Sequence, residues 1–204
     1  AIGRDSMADN TTADNNTAVG FSSLANNTTG ANNTALGYLA LDRNTTENAN
    51  TAIGYSALRL ITTGTENTAV GFISTAANTT GNYNTSLGKG TLEATTTGSS
   101  NTSVGTNALQ NNTTANNNTA VGSSALIANT TGADNVSVGQ GSLQSNTTGA
   151  SNTAIGRDSM VANTTVSNLV AVGKSALEAN TSGTNGVAVG KDCLLYTSDA
   201  ADEP

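Results

Sequence analysis

The sequence lacks most of the residues from which catalytic and metal sites are built. It has no histidine and a single cysteine, Cys193, and its acidic side chains occupy scattered positions with no fixed spacing. Histidine and cysteine supply many general bases, nucleophiles and metal ligands, and calcium-binding arrays need acidic residues at a fixed interval. The glycines precede no helical pattern, which argues against a phosphate-binding loop. We therefore expect no enzyme, no metal and no cofactor in this chain.

Charge and long apolar runs are also scarce. Only 10% of the residues are charged, and the net charge is −7. A protein that binds nucleic acid usually presents a basic surface to the phosphates, so this balance argues against a nucleic-acid partner. No stretch of about 20 apolar residues is present, so we expect no helical membrane span.

A 17-residue repeat runs along almost the whole chain without insertion or deletion. We number its positions from the asparagine that opens most copies, such as Asn16 and Asn118, so that each copy occupies positions 1 to 17. The opening residue changes to Leu169 and Gly186 near the end, but the period continues. A fixed period of this kind is typical of a solenoid, in which each coil contacts only its neighbours.

Positions 2 to 4 of each repeat have the pattern of a short β-strand. Position 2 is threonine or the similarly shaped valine, position 3 is always alanine or serine, and position 4 is always valine, isoleucine or leucine. Side chains alternate along a strand, so positions 2 and 4 share one side. We predict that this side faces the core. Position 5 is glycine in all twelve copies, which indicates a positive φ or a close backbone approach at the end of the strand.

The rest of the repeat predicts a second strand and a turn. Position 9 is leucine or methionine in every copy except at Thr75, and we predict a strand over positions 8 to 10 that carries it to the core. The sequence Asn-Thr-Thr at positions 12 to 14 is rich in residues that favour turns. The fold class predicted for residues 1–192 is therefore all-β, a parallel β-solenoid of eleven or twelve 17-residue coils.

The small residue at position 3 predicts association between chains. Each coil offers only about two large apolar side chains, each worth roughly 1.5–3 kcal/mol when buried. A lone coil stack is then marginally stable, and a second interface is needed. We predict that chains approach closely at position 3 around a shared axis as a homotrimer. Open coil ends would also favour end-to-end filaments.

The repeat NTAVGxxAL followed by NTTG resembles repeats of tail-fibre-like and adhesin-like proteins of bacteria and their viruses. The segments Asn168–Leu177 and Asn185–Lys191 resemble the head repeats of trimeric autotransporter adhesins. That resemblance implies a left-handed, trimeric β-roll located outside the cell or on a virion. The expected function is a structural fibre shaft. The alternatives are an adhesin module that binds glycans or surfaces and, as a third choice, an ice-binding solenoid.

Residues 193–204 fit the repeat poorly and contain the only cysteine and the only proline. They resemble the translation of a sequencing adapter, which predicts a non-native or disordered tail at the end of a fragment of a longer protein. The alternative is a genuine short tail, and Leu194 does stand where the repeat has leucine.

The Asn-Thr-Thr turns match the acceptor sequence for N-glycosylation. In the alternative interpretation each asparagine caps its own turn and stacks in a ladder. The candidate acceptors are Asn10, Asn27, Asn44, Asn78, Asn112, Asn129, Asn146, Asn163 and Asn180.

Position 6 holds aromatic residues in four consecutive copies, namely Phe21, Tyr38, Tyr55 and Phe72. These side chains form either a surface-binding ladder for sugar rings or a ladder that stacks on itself. The paired threonines at positions 13 and 14, such as Thr130 and Thr131, suggest an ordered water layer, although turn residues flank them.

Overall fold

The computed structural model describes residues 1–194 of the chain, and each repeat from Asn16 onward contributes one short strand. Strands of three residues recur at 17-residue intervals and lie in one sheet in chain order, each parallel to the next. No helix occurs in this range, so the predicted parallel β-solenoid is confirmed. The strands are β1 (Thr17–Val19), β2 (Thr34–Leu36), β3 (Thr51–Ile53), β4 (Thr68–Val70), β5 (Thr85–Leu87), β6 (Thr102–Val104), β7 (Thr119–Val121), β8 (Val136–Val138), β9 (Thr153–Ile155), β10 (Val170–Val172) and β11 (Val187–Val189).

The coils stack without any shift of register. Each strand residue pairs with the residue one period later, as Thr17 pairs with Thr34. The same offset continues outside the strands, where the backbone N–H of Thr28 donates to the carbonyl of Thr45 at 2.8 Å. Backbone hydrogen bonds between coils therefore run along the turns as well as the sheet.

The interior is built from other strand positions than the sequence pattern predicts. Ala120 at position 3 is fully buried, whereas Val121 at position 4 is 37% exposed. The predicted inward direction of positions 2 and 4 was wrong, and so was the predicted inter-chain contact at position 3. Alternation along a strand shows which side chains share a side but not which side is inside. The interior holds alanine or serine at positions 3 and 8, apart from Thr91, and leucine or methionine at position 9, apart from Thr75.

The second strand predicted at positions 8 to 10 does not form. The backbone turns there through residues with positive φ at positions 7 and 9, such as Ser124 (φ 58°) and Leu126 (φ 54°). A strand needs negative φ, so this segment is a turn. Leu126 nevertheless reaches the interior and is fully buried, as predicted for position 9.

The glycine at position 5 shows both properties that its invariance predicts. Gly88 has φ of 137°, and a Cβ added to it would lie 2.7 Å from the carbonyl oxygen of Gly105 in the next coil. A side chain at this position would meet backbone, which cannot move without separating the two coils.

Two columns of buried asparagines hold the coils closed. At position 1, the amide nitrogen of Asn101 donates to the carbonyl of Ala115 at 2.9 Å, and its amide oxygen accepts the backbone N–H of Asn118 at 3.0 Å. At position 12, the amide nitrogen of Asn112 donates to the same carbonyl of Ala115 at 3.1 Å. The asparagine at position 1 therefore links the start of a coil to the end of the same coil and to the next coil. Its buried amide group has hydrogen-bond partners on both sides.

The predicted tail begins within the last coil. Leu177 donates its backbone N–H to the carbonyl of Cys193 at 3.0 Å, and Leu194 has the positive φ (49°) typical of position 9. The rest of that tail, residues 195–204, lies outside the described residues. Over residues 1–194 the structure contains no helix of the length and apolarity needed to cross a membrane.

Candidate functional site

Titratable and metal-binding side chains do not converge in the part of the chain that the structure describes. No group of three or more Cys, Asp or Glu side chains there could hold a metal ion. Cys193 is half-buried, packs against the core and is unpaired. The features worth weighing for function are therefore surface columns, in which one repeat position recurs coil after coil.

One continuous surface feature is the outer side of the sheet, which we call the sheet face and define as the first and third residues of strands β1 to β11. It carries threonine or valine in one column and valine, isoleucine or leucine in the other, with no charged residue. Leu36 and Leu87, for example, are 43% and 49% exposed. The aliphatic column that the sequence pattern placed in the core thus lies on the outside.

The threonines of the sheet face have free hydroxyls. Within residues 1–194, none of the hydroxyls at position 2 of β1 to β7 and β9 makes a hydrogen bond to the chain. Parallel strands lie about 4.8 Å apart, so these hydroxyls recur at that interval beside a column of methyl groups.

The four aromatic residues at position 6 stack on one another. The ring centroids of Phe21 and Tyr38, of Tyr38 and Tyr55, and of Tyr55 and Phe72 are 5.1–5.2 Å apart, with interplanar angles of 5–15°. The Arg4 guanidinium lies 5.6 Å from the centroid of Phe21 and covers the outer face of that ring. A sugar ring packs on the face of an aromatic ring, and most of these faces are occupied. Binding of a ligand to this ladder stays a prediction, and such a ligand would contact mainly the edges of the rings.

The candidate glycosylation asparagines lie in the position-12 column. Asn10 is half-buried, and the other eight are fully buried. The amide nitrogen of Asn129 donates to the amide oxygen of Asn112 at 3.0 Å and to the carbonyl of Gly132 at 2.9 Å. A glycan would replace one of these two hydrogens and would have to leave the interior.

We expect the chain to carry no N-glycans when it is produced in a glycosylating host. Attachment at Asn129 or its equivalents would break a buried hydrogen bond, so a chain modified before it folds could not close that coil and would be absent from the folded protein. Intact mass measurement before and after glycosidase treatment checks this. A bare-chain mass is expected, and a glycosidase-sensitive excess mass on folded protein would contradict it.

The paired threonines at positions 13 and 14 are partly used by the fold. The hydroxyl of Thr130 at position 13 donates to the carbonyl of Thr147 at 3.0 Å, and Thr28 and Thr45 repeat this contact at 3.1 Å. These hydroxyls brace the turn of one coil against the next. If any threonine column orders water, the unpaired column on the sheet face is better placed to do so.

A recess around Ala76 is a feature that the sequence pattern did not reveal. It is an open recess of about 290 Å³ that lies between Arg59 and Glu93 on the turn segments of three successive coils. The available signal was local, because Ala76 is a small residue between two charged ones at position 10. A consensus taken over all copies of the repeat hides a change that occurs in only one coil.

No protein-family model, curated protein or solved structure matches this chain.

Proposed function

We propose that this array is a structural shaft segment of an extracellular fibre, in which three copies of the chain pack side by side through the sheet face. The unbroken register of eleven strands supports a rod. The tail-fibre-like and adhesin-like repeat pattern supports the three-chain count, the left-handed coil and a location outside the cell or on a virion. End-to-end joining into filaments is part of the same proposal.

The observation that carries the proposal is a parallel sheet with one uncovered aliphatic side. Parallel sheets are normally covered on both faces, and here the chain itself covers only the inner one. Leu36, Leu87, Ile155 and their equivalents are left half exposed in a continuous column. Eleven strands spaced about 4.8 Å apart and three residues wide give a patch of roughly 500 Å², at the upper end for a lone monomer. Copies of the same chain would cover it with an identical spacing.

Three lysines on the sheet face should separate the chains. We expect the triple variant Val70→Lys, Val104→Lys, Val138→Lys to be a folded single chain, whereas the unaltered protein is a three-chain assembly. The three side chains are only half-buried in one chain, so lysine fits the lone solenoid. In a three-chain assembly, however, the lysines would place like charges in the apolar contact between the chains. Native mass spectrometry at tens of micromolar protein gives the chain count, and circular dichroism confirms the fold.

The matched control adds the same three charges to the same three coils at position 14. Thr80→Lys, Thr114→Lys, Thr148→Lys changes exposed side chains away from the sheet face and should leave a three-chain assembly. A single-chain unaltered protein, or a sheet-face variant that still assembles, would contradict the proposal.

A second candidate function, ordering of water at an ice surface, is favoured by the free threonine hydroxyls of the sheet face. They share a flat sheet and a fixed interval with the neighbouring methyl groups, an arrangement that can hold water in a repeated pattern. The shaft proposal expects no thermal hysteresis, because copies of the chain cover this face. Hysteresis that disappears in Thr85→Lys, Thr102→Lys, Thr119→Lys would favour the second candidate.

A further inference from the structure

The coil that opens at Asn67 departs from the repeat pattern in several neighbouring residues. Residues 73–77 read Ile-Ser-Thr-Ala-Ala, and Thr75 is the only residue at position 9 that is neither leucine nor methionine. Ile73 and Thr75 both have φ of 50°, which is rare for residues branched at Cβ. The φ values match those at positions 7 and 9 of the other coils, so this coil differs from its neighbours in its β-branched side chains and not in its backbone path.

Beneath this stretch the core holds four hydrogen-bonded hydroxyl groups, one of them at position 9, which is apolar in every other coil. The hydroxyl of Ser86 lies 2.6 Å from that of Thr75 and 2.7 Å from that of Ser74, and Ser74 is 2.9 Å from Thr91. All four residues are buried and satisfy one another. The polar side chains of this coil therefore have hydrogen-bond partners inside the core, and the altered coil fits the fold.

Above this network lies the recess at Ala76, where a rung of the position-10 column is missing. Arg59 stands in the coil before it and Glu93 in the coil after it, so the two charged groups are separated by two coil spacings, about 9.6 Å. The guanidinium Nε of Arg59 has no hydrogen-bond partner within residues 1–194, and its nearest carboxylate oxygen, on Asp42, is 3.9 Å away. The Glu93 carboxylate accepts one hydrogen bond, from Gln110 at 2.8 Å. The Nε itself is buried on the Asp42 side, but the Arg59 side chain is 42% exposed, so the gap has a partly exposed guanidinium at one end and a carboxylate at the other.

We propose that this recess binds one pyranose unit of a surface glycan. Arg59 donates a hydrogen bond to a sugar oxygen, Glu93 accepts one from a sugar hydroxyl, and the apolar carbons of the ring lie against Ile73 and the ring edge of Tyr55, which line the recess. Each sugar hydroxyl both donates and accepts, so hydroxyls on opposite sides of one ring serve both ends of the gap. The volume of about 290 Å³ lies at the small end for ligand pockets, which suits a single ring.

Other ligand classes fit the recess less well. An amino acid carries its ammonium and carboxylate too close together to reach Arg59 and Glu93 at once. A simple ion would be repelled by one of the two charged ends. An extended peptide needs free backbone groups to pair with. Here the N–H of Leu60 already donates to the carbonyl of Ala76, and the N–H of Ala77 to that of Glu93.

The test measures binding of methyl hexosides and N-acetylhexosaminides to the full chain by saturation-transfer NMR and titration. The structure predicts saturable binding of at least one of them by the unaltered protein. Ala76→Gln restores the missing rung and fills the recess, so its affinity should fall at least tenfold. Ala25→Gln makes the same change at position 10 of a distant coil and should bind as the unaltered protein does.

A second variant guards against misfolding of the first. Glu93→Gln keeps the size of the side chain but removes the charge, and we expect at least a threefold loss of affinity with an unchanged melting temperature. Absence of saturable binding for every sugar would overturn the proposal. So would equal affinity of the unaltered protein and a folded Ala76→Gln variant. Because the recess uses turn residues and not the sheet face, these results are independent of the chain count.

Discussion

Replacing Gly88 with alanine should destabilise the solenoid by roughly 2–6 kcal/mol, combining about 1–3 for backbone strain with about 1–3 for overpacking. The φ of 137° is one that residues with a side chain rarely adopt. The new Cβ would lie 2.7 Å from the carbonyl oxygen and 2.9 Å from the carbonyl carbon of Gly105, so the coils must move apart. Urea denaturation followed by circular dichroism measures the free energy of unfolding.

The matched control lies two residues away in the same coil. Gly90 also has a positive φ (63°), but its added Cβ would meet the amide oxygen of the Asn107 side chain, which can move. Most other coils carry a residue with a side chain at this position, such as Ser56 or Ser124. Gly90→Ala should therefore cost about 1 kcal/mol, the usual penalty for a side chain in the left-handed region. Equal losses for the two variants would contradict the close-approach argument.

Replacing Asn101 with alanine should cost roughly 3–5 kcal/mol, because a buried group left unsatisfied costs about 1–3 and a cavity is added. The side chain is fully buried. Its loss leaves the backbone N–H of Asn118 without its acceptor and removes one of the two donors to the carbonyl of Ala115. The expected signature is a lower urea midpoint together with faster amide exchange at Asn118.

Asn111→Ala is the corresponding surface control. This asparagine is exposed at position 11 and makes no side-chain hydrogen bond within residues 1–194. Its replacement should change stability by no more than about 0.5 kcal/mol, as is usual on a surface. A loss below about 1 kcal/mol for Asn101→Ala would show that the buried column contributes less than its geometry indicates.

The period and the glycine could be predicted from sequence because each depends on the backbone alone. An unbroken 17-residue register requires coils that stack in line, and the strands at positions 2 to 4 follow from the β-branched residues. Glycine at position 5 is required by φ and by the neighbouring coil, as Gly88 shows. These features do not depend on which side of the strand is inside.

The direction of the strand could not be predicted from alternation alone. Thr119 and Val121 lie on one side and Ala120 on the other, and a pattern of three residues fits both directions. The range of side-chain sizes at each position distinguishes the two directions once the structure is known. Position 3 is only alanine or serine because the narrow interior already holds Leu126 and the buried asparagines, whereas outward positions 2 and 4 accept side chains of several sizes.

The candidate surfaces were predicted in part. Register alone brings Tyr38 and Tyr55 together, but the nearly parallel stacking of their rings depends on the coil spacing and side-chain rotamers. The recess at Ala76 depends on one missing side chain between Arg59 and Glu93. Because repeat averaging removes such a departure, only the three-dimensional stack reveals it.

Mass per unit length of the particle, obtained by small-angle scattering and electron microscopy of the unaltered protein, tests the central claim most directly. It separates side-by-side association through the sheet face from end-to-end joining, which lengthens the rod at constant cross-section. Eleven strands at about 4.8 Å give a rod of roughly 53 Å. We expect three times the mass per unit length of one chain, falling to that of one chain in the sheet-face lysine variant. A rod with the cross-section of one chain in the unaltered protein would contradict the account.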